Sequence, residues 1–285
     1  MEELAVNLPN VVTLTDPQWT LGSLILMVSY GAHFAFIIYF VMTSMQLAPR
    51  YRVVAILSAV VMASAGLSLL REWTMWSDTF QFISSSGLWQ PAQDGQTFSN
   101  AYRYGNWTIT VPLLLIQLPI ALGLMRGELY KRGARMIIAA EAMILTGLVG
   151  QFGEVSDYSL LNIWGIISTL FFIWLIIEVR GVITSGVLQT PSEIQAWPKN
   201  LFWYFLATWG LYPIAYALPQ LGQDGNVVVA QQLIFSIADI STKLVYGVIL
   251  SRFCLRRSAI EGYEPAVFAL DTTGASSAVA AKVKA

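Results

Sequence analysis

Long apolar runs, separated by short polar connections, extend along the chain from about residue 18 to residue 257. A helix crosses the hydrocarbon core of a bilayer in about 20 apolar residues. Seven stretches reach that length, and the predicted spans are 18–47, 51–76, 101–126, 134–153, 158–183, 198–219 and 228–255. Lipid offers no hydrogen-bond partner to an open backbone, and the alternation typical of barrel strands is absent from the sequence. The pattern therefore predicts an all-α membrane protein, a bundle of seven transmembrane helices.

The distribution of lysine and arginine predicts how this bundle lies in the membrane. All of the 16 basic residues except Arg71, Arg103 and Lys243 fall in the tail or in and beside alternate connections. Basic residues concentrate on the cytoplasmic side of membrane proteins. We therefore expect the amino terminus outside and the carboxyl terminus in the cytoplasm.

Three regions follow from the predicted spans. Residues 1–17 are expected to form an extracellular segment, residues 18–257 the membrane domain, and residues 258–285 a cytoplasmic tail. The tail is predicted to be partly disordered, from about residue 265, because it lacks a usable hydrophobic period. The longest outer connection, 77–100, is rich in Gly, Pro and Ser, so a short hairpin is expected to cover the outer mouth of the bundle.

The composition excludes several classes of protein. Hydrophobic residues make up 56% of the chain and charged residues 12%, about half the charged fraction of a soluble domain. The net charge of −1 provides no field that would attract nucleic acid. A single cysteine, Cys254, and a single histidine, His33, argue against a disulfide framework, a metal site and a Ser-His-Asp triad. We expect neither a metal nor enzymatic activity.

A lysine in the middle of the seventh span is the first candidate for chemistry. Lys243 follows Asp239 by four residues, so both side chains lie on one face of a helix. A charge at the centre of a bilayer costs about 3 kcal/mol or more, and such residues usually serve function. One interpretation is an ion pair that locks the bundle. The other is a lysine that carries a covalent ligand as a Schiff base, with Asp239 as its counterion.

The third span carries a row of polar residues. Arg103, Asn106, Thr110 and Gln117 follow steps of three, four and seven, which place them on one helical stripe. The stripe extends for about 21 Å at 1.5 Å per residue. Polar contacts between membrane helices usually need only one or two residues, so this row indicates an ion path.

Several motifs of the chain resemble those of the microbial (type 1) rhodopsins. They are Arg103-Tyr-Gly-Asn-Trp107 in the third span, Thr146-Gly-Leu-Val-Gly150 in the fourth, Trp209-Gly-Leu-Tyr-Pro213 in the sixth and Asp239-Ile-Ser-Thr-Lys243 in the seventh. The resemblance covers residues 15 to 257 in the same order. It implies all-trans retinal bound to Lys243, with Asp239 as counterion. The implied pocket is formed by Trp107, Thr110, Leu114, Gly147, Ser168, Trp209, Tyr212 and Pro213.

Three positions of the third helix sort the members of that family. Outward proton pumps resemble one another in having a carboxylate at the first and the third position, and sodium pumps have Asn, Asp and Gln. Here the triplet is Asn106, Thr110 and Gln117, which is similar to the light-driven chloride pumps of marine bacteria. The chemistry agrees, because amides and hydroxyls cannot relay a proton near neutral pH but can donate hydrogen bonds to an anion.

The predicted function is therefore a light-driven inward chloride pump. Chloride is expected to enter past Arg103, to bind Asn106 and Thr110 beside Lys243, and to leave past Gln117 after retinal isomerises. Ser64 on the second span is expected to approach the ion site, or to serve helix packing. The alternatives are a photosensory rhodopsin, a proton or sodium pump, and a light-gated anion channel. The resemblance also implies a bacterial inner membrane location and a homotrimer or homopentamer.

Overall fold

The computed structural model describes residues 7–271 and contains seven helical rods. The first five are α1 Asp16–Gln46, α2 Pro49–Thr79, α3 Ala101–Ala121, α4 Arg126–Gln151 and α5 Tyr158–Val187. The sixth consists of α6 Ala196–Trp209 and α7 Leu211–Ala217. The seventh consists of α8 Gly225–Asp239, a π-helical segment Ile240–Val245 and α9 Tyr246–Ile260. The predicted fold class, an all-α membrane bundle, is confirmed.

Six of the seven rods are long and apolar enough to cross a membrane. The exception is α3, whose hydropathy is lowered by its polar residues. Those side chains point into the bundle, since Arg103 is 1% exposed and Gln117 is fully buried. Helix α3 therefore hides its polar face from lipid by packing against its neighbours.

The connection between α3 and α4 differs from the predicted boundaries. Helix α3 ends at Ala121, five residues before the predicted end of its span, because Gly123 adopts a φ of 70°. The amide of Leu124 then donates to the carbonyl of Pro119 at 3.0 Å, which is a helix-terminating contact. Helix α4 begins at Arg126 rather than at 134. The first two turns of α4 are polar, so they do not belong to the apolar run from which the span was predicted.

A small three-stranded sheet lies at the predicted outer end of the bundle. Strand β2, Phe80–Ile83, pairs antiparallel with β3, Leu88–Pro91, and β3 also pairs with β1, Leu14–Thr15. Trp19 at the start of α1 stacks on Trp89 with 3.9 Å between ring centroids. The sheet thereby connects the segment before α1 to the long connection before α3.

The chain continues as a helix after α9. Helix α10, Glu264–Asp271, buries Ala266 and Leu270 against the bundle. The sequence predicted disorder from about residue 265, because this segment is too short to show a clear hydrophobic period. The same prediction for residues 272–285, like that for the first six residues of the extracellular segment, falls outside the described residues.

Candidate functional site

A cavity lies inside the bundle and is lined by Lys243. Its other walls are almost entirely apolar and aromatic. They include Trp107, Leu114, Gly147, Ser168, Trp209, Tyr212 and Pro213. Each of these residues was predicted for the retinal pocket. The remaining predicted pocket residue, Thr110, is buried but does not line the cavity.

Three glycines allow aromatic rings to close on this cavity. A Cβ atom on Gly147 would lie 3.2 Å from the ring of Tyr104, and one on Gly165 would lie 2.8 Å from the ring of Tyr216. Gly150 leaves even less room beside the Tyr216 hydroxyl. The result is an apolar space between rings with an amine on its wall. The chemistry of this lining suits a long, flat, apolar aldehyde such as retinal, which can form a Schiff base with Lys243.

Lys243 lies in the π-helical segment, where the helix is wider than an α-helix. Its Nζ atom contacts Oδ1 of Asp239 and lies 3.2 Å from the hydroxyl of Tyr212. Asp239 also accepts from the Tyr212 hydroxyl at 2.9 Å and from the indole of Trp107 at 3.3 Å. Both charged side chains are at most 4% exposed. The arrangement supports the predicted pairing of an amine-bound ligand with a carboxylate counterion.

Arg103 connects Asp239 to a second carboxylate. One guanidinium nitrogen donates to Oδ2 of Asp239 at 2.8 Å. The other donates to Oε1 of Gln232 at 2.9 Å and lies 2.6 Å from Oε2 of Glu72. Glu72 is completely buried in α2. The sequence motifs identified Asp239 as the counterion of Lys243 and indicated no role for Glu72.

Asn106 and Ser64 form a contact between α3 and α2. The Asn106 side chain donates to the Ser64 hydroxyl at 2.8 Å. The hydroxyl of Thr110 donates back to the carbonyl of Asn106 at 3.0 Å. Ser64 and Asn106 thus lie together, one helical turn further into the bundle than Arg103, and this contact is compatible both with an ion site and with helix packing.

Gln117 belongs to the opposite half of the bundle. It lies eleven residues after Asn106, or about 17 Å along α3. Its Oε1 accepts from the Ser58 hydroxyl at 2.9 Å, and its Nε2 has no hydrogen-bond partner in the part of the chain that the structure describes. Gln117 therefore does not contact the charged group around Lys243.

A further buried carboxylate lies between α4 and α5. Glu154 is fully buried and accepts hydrogen bonds from the side-chain amides of Asn7, Gln151 and Gln231. Burial raises the pKa of Glu154 to about 7, although the amide donors of Gln231 and Asn7 act to lower it. The cluster connects the segment before α1 to the end of α4, to the α4–α5 connection and to α8. Only the long-range packing reveals it, because Asn7 and Glu154 are 147 residues apart in sequence.

The chain is similar to known proteins along most of its length. The family described as bacteriorhodopsin-like protein matches residues 20–256. A green-light absorbing proteorhodopsin of the gamma-proteobacterium EBAC31A08 is 23% identical over 184 residues, which is 63% of this chain and 70% of the relative. A bacteriorhodopsin-II-like protein of Haloquadratum walsbyi is 31% identical over 149 residues, 52% of this chain and 58% of the relative.

Solved structures agree with this relationship. Xanthorhodopsin, described as a light-driven ion pump with dual chromophore, superposes with a TM-score of 0.81 and 30% identity, over 89% of this chain and 99% of its own. A thermophilic rhodopsin superposes with a TM-score of 0.82 and 26% identity, over 88% and 99%. The chain therefore belongs to the bacteriorhodopsin-like family and is a light-driven, retinal-binding microbial rhodopsin.

Proposed function

We propose that this rhodopsin is an inward chloride pump. The observation that carries the proposal is the uncharged group Ser64, Asn106 and Thr110, which follows Arg103, the partner of Asp239, into the bundle. Asn106 and Thr110 lie on α3, a helix without an acidic residue. When bound to Lys243 as a protonated Schiff base, retinal supplies a positive N–H group whose direction changes on light-driven isomerisation. The other parts of the transport path are side chains of the protein.

The outer half offers hydrogen-bond donors to an anion. Asn106 uses one amide hydrogen on Ser64, so its second amide hydrogen and the Ser64 hydroxyl hydrogen remain available. Arg103 lies one turn further out and attracts anions towards these donors. Neutral donors suit chloride because they bind an anion without taking up a proton.

The cytoplasmic half offers chloride a weaker binding site, from which it can be released. Gln117 is buried, and its Nε2 group has no partner among the described side chains, so it can donate to a passing anion. No charged side chain forms a hydrogen bond with Gln117 in that part of the chain. A single neutral donor binds chloride more weakly than Arg103, Ser64 and Asn106 together, which favours release.

An outward proton pump is the second candidate, and two observations favour it. Asp239 contacts Lys243 directly, and Glu72 lies beyond Arg103 as a second buried carboxylate, so groups that could accept a proton exist on the outer side. One structural relative is described as a light-driven proton pump, although at 20% identity it supports the fold alone. Gln117 argues against this function, because an amide cannot donate the returning proton.

The light-induced pH change of an unbuffered cell suspension distinguishes the two candidates. Inward chloride transport predicts alkalinisation in sodium chloride that a protonophore enhances and that disappears in sodium sulfate. Outward proton transport predicts acidification in both salts, abolished by the protonophore. A variant with Lys243→Ala lacks the attachment point for retinal and serves as the control in each salt. A coloured protein without any pH change would favour a photosensory role.

The proposal extends to the membrane in which the protein lies and to its oligomeric state. We propose a bacterial inner membrane and a homotrimer or homopentamer, supported by the resemblance of the motifs to the marine bacterial pumps. The apolar residues exposed along α1 and α5, such as Ile38 and Ile166, are compatible with lipid or with a second protomer. Chemical cross-linking in membranes, followed by size analysis, tests the oligomer.

A further inference from the structure

Glu72 is a buried carboxylate that the proposed transport path does not use. It is fully buried in α2, eight residues or about 12 Å along the helix from Ser64. Its Oε2 pairs with Arg103, and its Oε1 has no hydrogen-bond donor among the described residues. A buried charged group without its full set of hydrogen bonds is costly and usually serves function.

Two contacts between α2 and α3 follow one another towards the outer side. The inner contact joins Ser64 to Asn106, and the outer contact joins Glu72 to Arg103. An anion that comes from the outer side must pass the outer contact before it reaches the inner one. An ionised Glu72 repels that anion and also occupies Arg103, which would otherwise attract it.

The charges of the buried group balance without an anion. Lys243 and Arg103 are positive, Asp239 and Glu72 are negative, and each is at most 3% exposed. A chloride ion at Ser64 and Asn106 adds a fifth charge and leaves the group with a net charge of −1. In a poorly solvated interior such an imbalance is unfavourable, and a proton on Glu72 removes it.

We propose that chloride binds together with a proton, and that Glu72 is the residue that takes this proton from the outer solution. The inference rests on the proposed chloride transport and names the group that regulates it. Glu72 acts on the anion through Arg103 and through its own charge. It is therefore a positioning residue rather than a ligand of the anion.

The other titratable groups around Glu72 are less suited to take the proton. Asp239 receives hydrogen bonds from Arg103, Trp107 and Tyr212 as well as from Lys243, and these donors keep it ionised. Arg71 on α2 is exposed and donates to Gln96. From α1, the buried His33 interacts electrostatically with Asp239 and Lys243, so it is the competing proton site.

The strength of the coupling between chloride binding and protonation of Glu72 depends on the distance between the two charges. Two unit charges about 12 Å apart at an effective dielectric constant of about 20 change each other's binding by roughly tenfold. We expect the dissociation constant for chloride to rise about tenfold between pH 5.5 and pH 8.5. At intermediate pH, the binding of chloride in the dark is expected to take up as much as one proton per protein.

The experiment uses the full-length, retinal-bound protein in the dark, in weakly buffered sodium sulfate. Sodium chloride is added while the visible absorption reports the anion and a pH indicator reports proton uptake. Glu72→Gln keeps the size of the side chain and removes its charge. It is expected to bind chloride with the low-pH affinity at every pH, without proton uptake. His33→Gln is the matched control and is expected to behave like the wild type.

Three results would overturn the inference. In the first, the absorption responds to chloride without any pH dependence or proton uptake. That result would support the chloride site but exclude the role of Glu72. Proton uptake that disappears in His33→Gln assigns the proton to His33. No absorption response at any pH, in wild type and variant alike, removes the proposed function itself. The wild-type measurement of proton uptake tests the coupling even where Glu72→Gln fails to bind retinal.

Discussion

The outer and cytoplasmic halves of the bundle differ in how they satisfy their buried polar groups. In the outer half, Arg103 bridges Asp239 and Glu72, and nearby amides and hydroxyls complete a charged network. In the cytoplasmic half, Gln117 pairs with Ser58 and with no other side chain among residues 7–271. Charged hydrogen bonds are roughly twice as strong as neutral ones. The outer half is therefore suited to hold an ion and the cytoplasmic half to release it.

The strongest test of this comparison places a carboxylate in the outer half. Asn106→Asp puts a negative charge beside the Ser64 hydroxyl, where the anion is proposed to bind. We expect the affinity for chloride to fall at least a hundredfold, because like charges repel strongly in a buried site. Asn106→Gln, which keeps the amide, is the control. Titration of the visible absorption with chloride measures both, and an unchanged affinity in Asn106→Asp would place the anion elsewhere.

The Glu154 cluster is a second group of buried polar residues in the outer half, and its stability is predicted to depend on pH. Burial raises the pKa of Glu154 from 4.5 to about 7, so the docked amino-terminal segment binds a proton more tightly than an undocked one. As pH rises from about 4.5 to 7, the undocked state loses its proton first, and docking weakens by at most about 3 kcal/mol. Above that range the loss is complete and the stability is constant.

Hydrogen exchange of the amides of Asn10 and Val11 measures this docking. After correction for intrinsic rates, we expect less protection at pH 8 than at pH 5. Glu154→Gln should remove the pH dependence, and the exposed Glu128→Gln should retain it. Equal protection of the wild type at both pH values would show that Glu154 keeps one protonation state throughout.

The wall of the cavity between the two halves predicts an intermediate effect. In Gly165→Ala the new methyl group would lie 2.8 Å from the Tyr216 ring, which must move. We expect a loss of about 1–3 kcal/mol, as for other overpacked sites, together with a shift of the visible absorption maximum. Gly105→Ala on α3 is the control, since nothing lies within 4 Å of its Cβ position. Thermal bleaching of the two variants measures the difference, and equal bleaching would contradict a tight fit at Gly165.

The smallest effect is expected in the cytoplasmic half. Gln117→Leu removes the amide that is proposed to assist release, so transport in saturating light should slow by roughly tenfold while the affinity in the dark is unchanged. Ser58→Ala, which removes only the hydroxyl partner of Gln117, should slow it by roughly twofold. Chloride-dependent photocurrents measure the rate. A variant with lower affinity in the dark but normal transport would mean that Gln117 contacts the outer site.

The sequence predicted much of the fold because a helix that crosses lipid must be apolar over a fixed length. Apolar runs of about 20 residues identify membrane helices, and the spacing of Asp239 and Lys243 places them on one helical face. The polar first turns of α4 and the short helix α10 were missed for the same reason, since neither is an apolar run. Helix ends that depend on a single backbone conformation, as at Gly123, also have no hydrophobic signature.

Glu72 marks the limit of sequence analysis at the site. It stands next to Arg71 near the end of a predicted span, where charged residues usually extend towards the surface. The two neighbours diverge in the structure, because Arg71 is exposed and Glu72 is buried against Arg103. The stripe rule predicted contacts along α3 but could not predict which residue of α2 would face Arg103.

The sequence by itself determined the class of protein, the approximate positions of the seven helical rods and the lysine that is proposed to carry the chromophore. These depend on local hydrophobicity and on spacing within one helix. Only the tertiary structure decided that Arg103 lies between two carboxylates and that Glu154 meets Asn7 across 147 residues. Those contacts depend on the rotation and depth of each helix against its neighbours, and many side chains contribute to that packing at once.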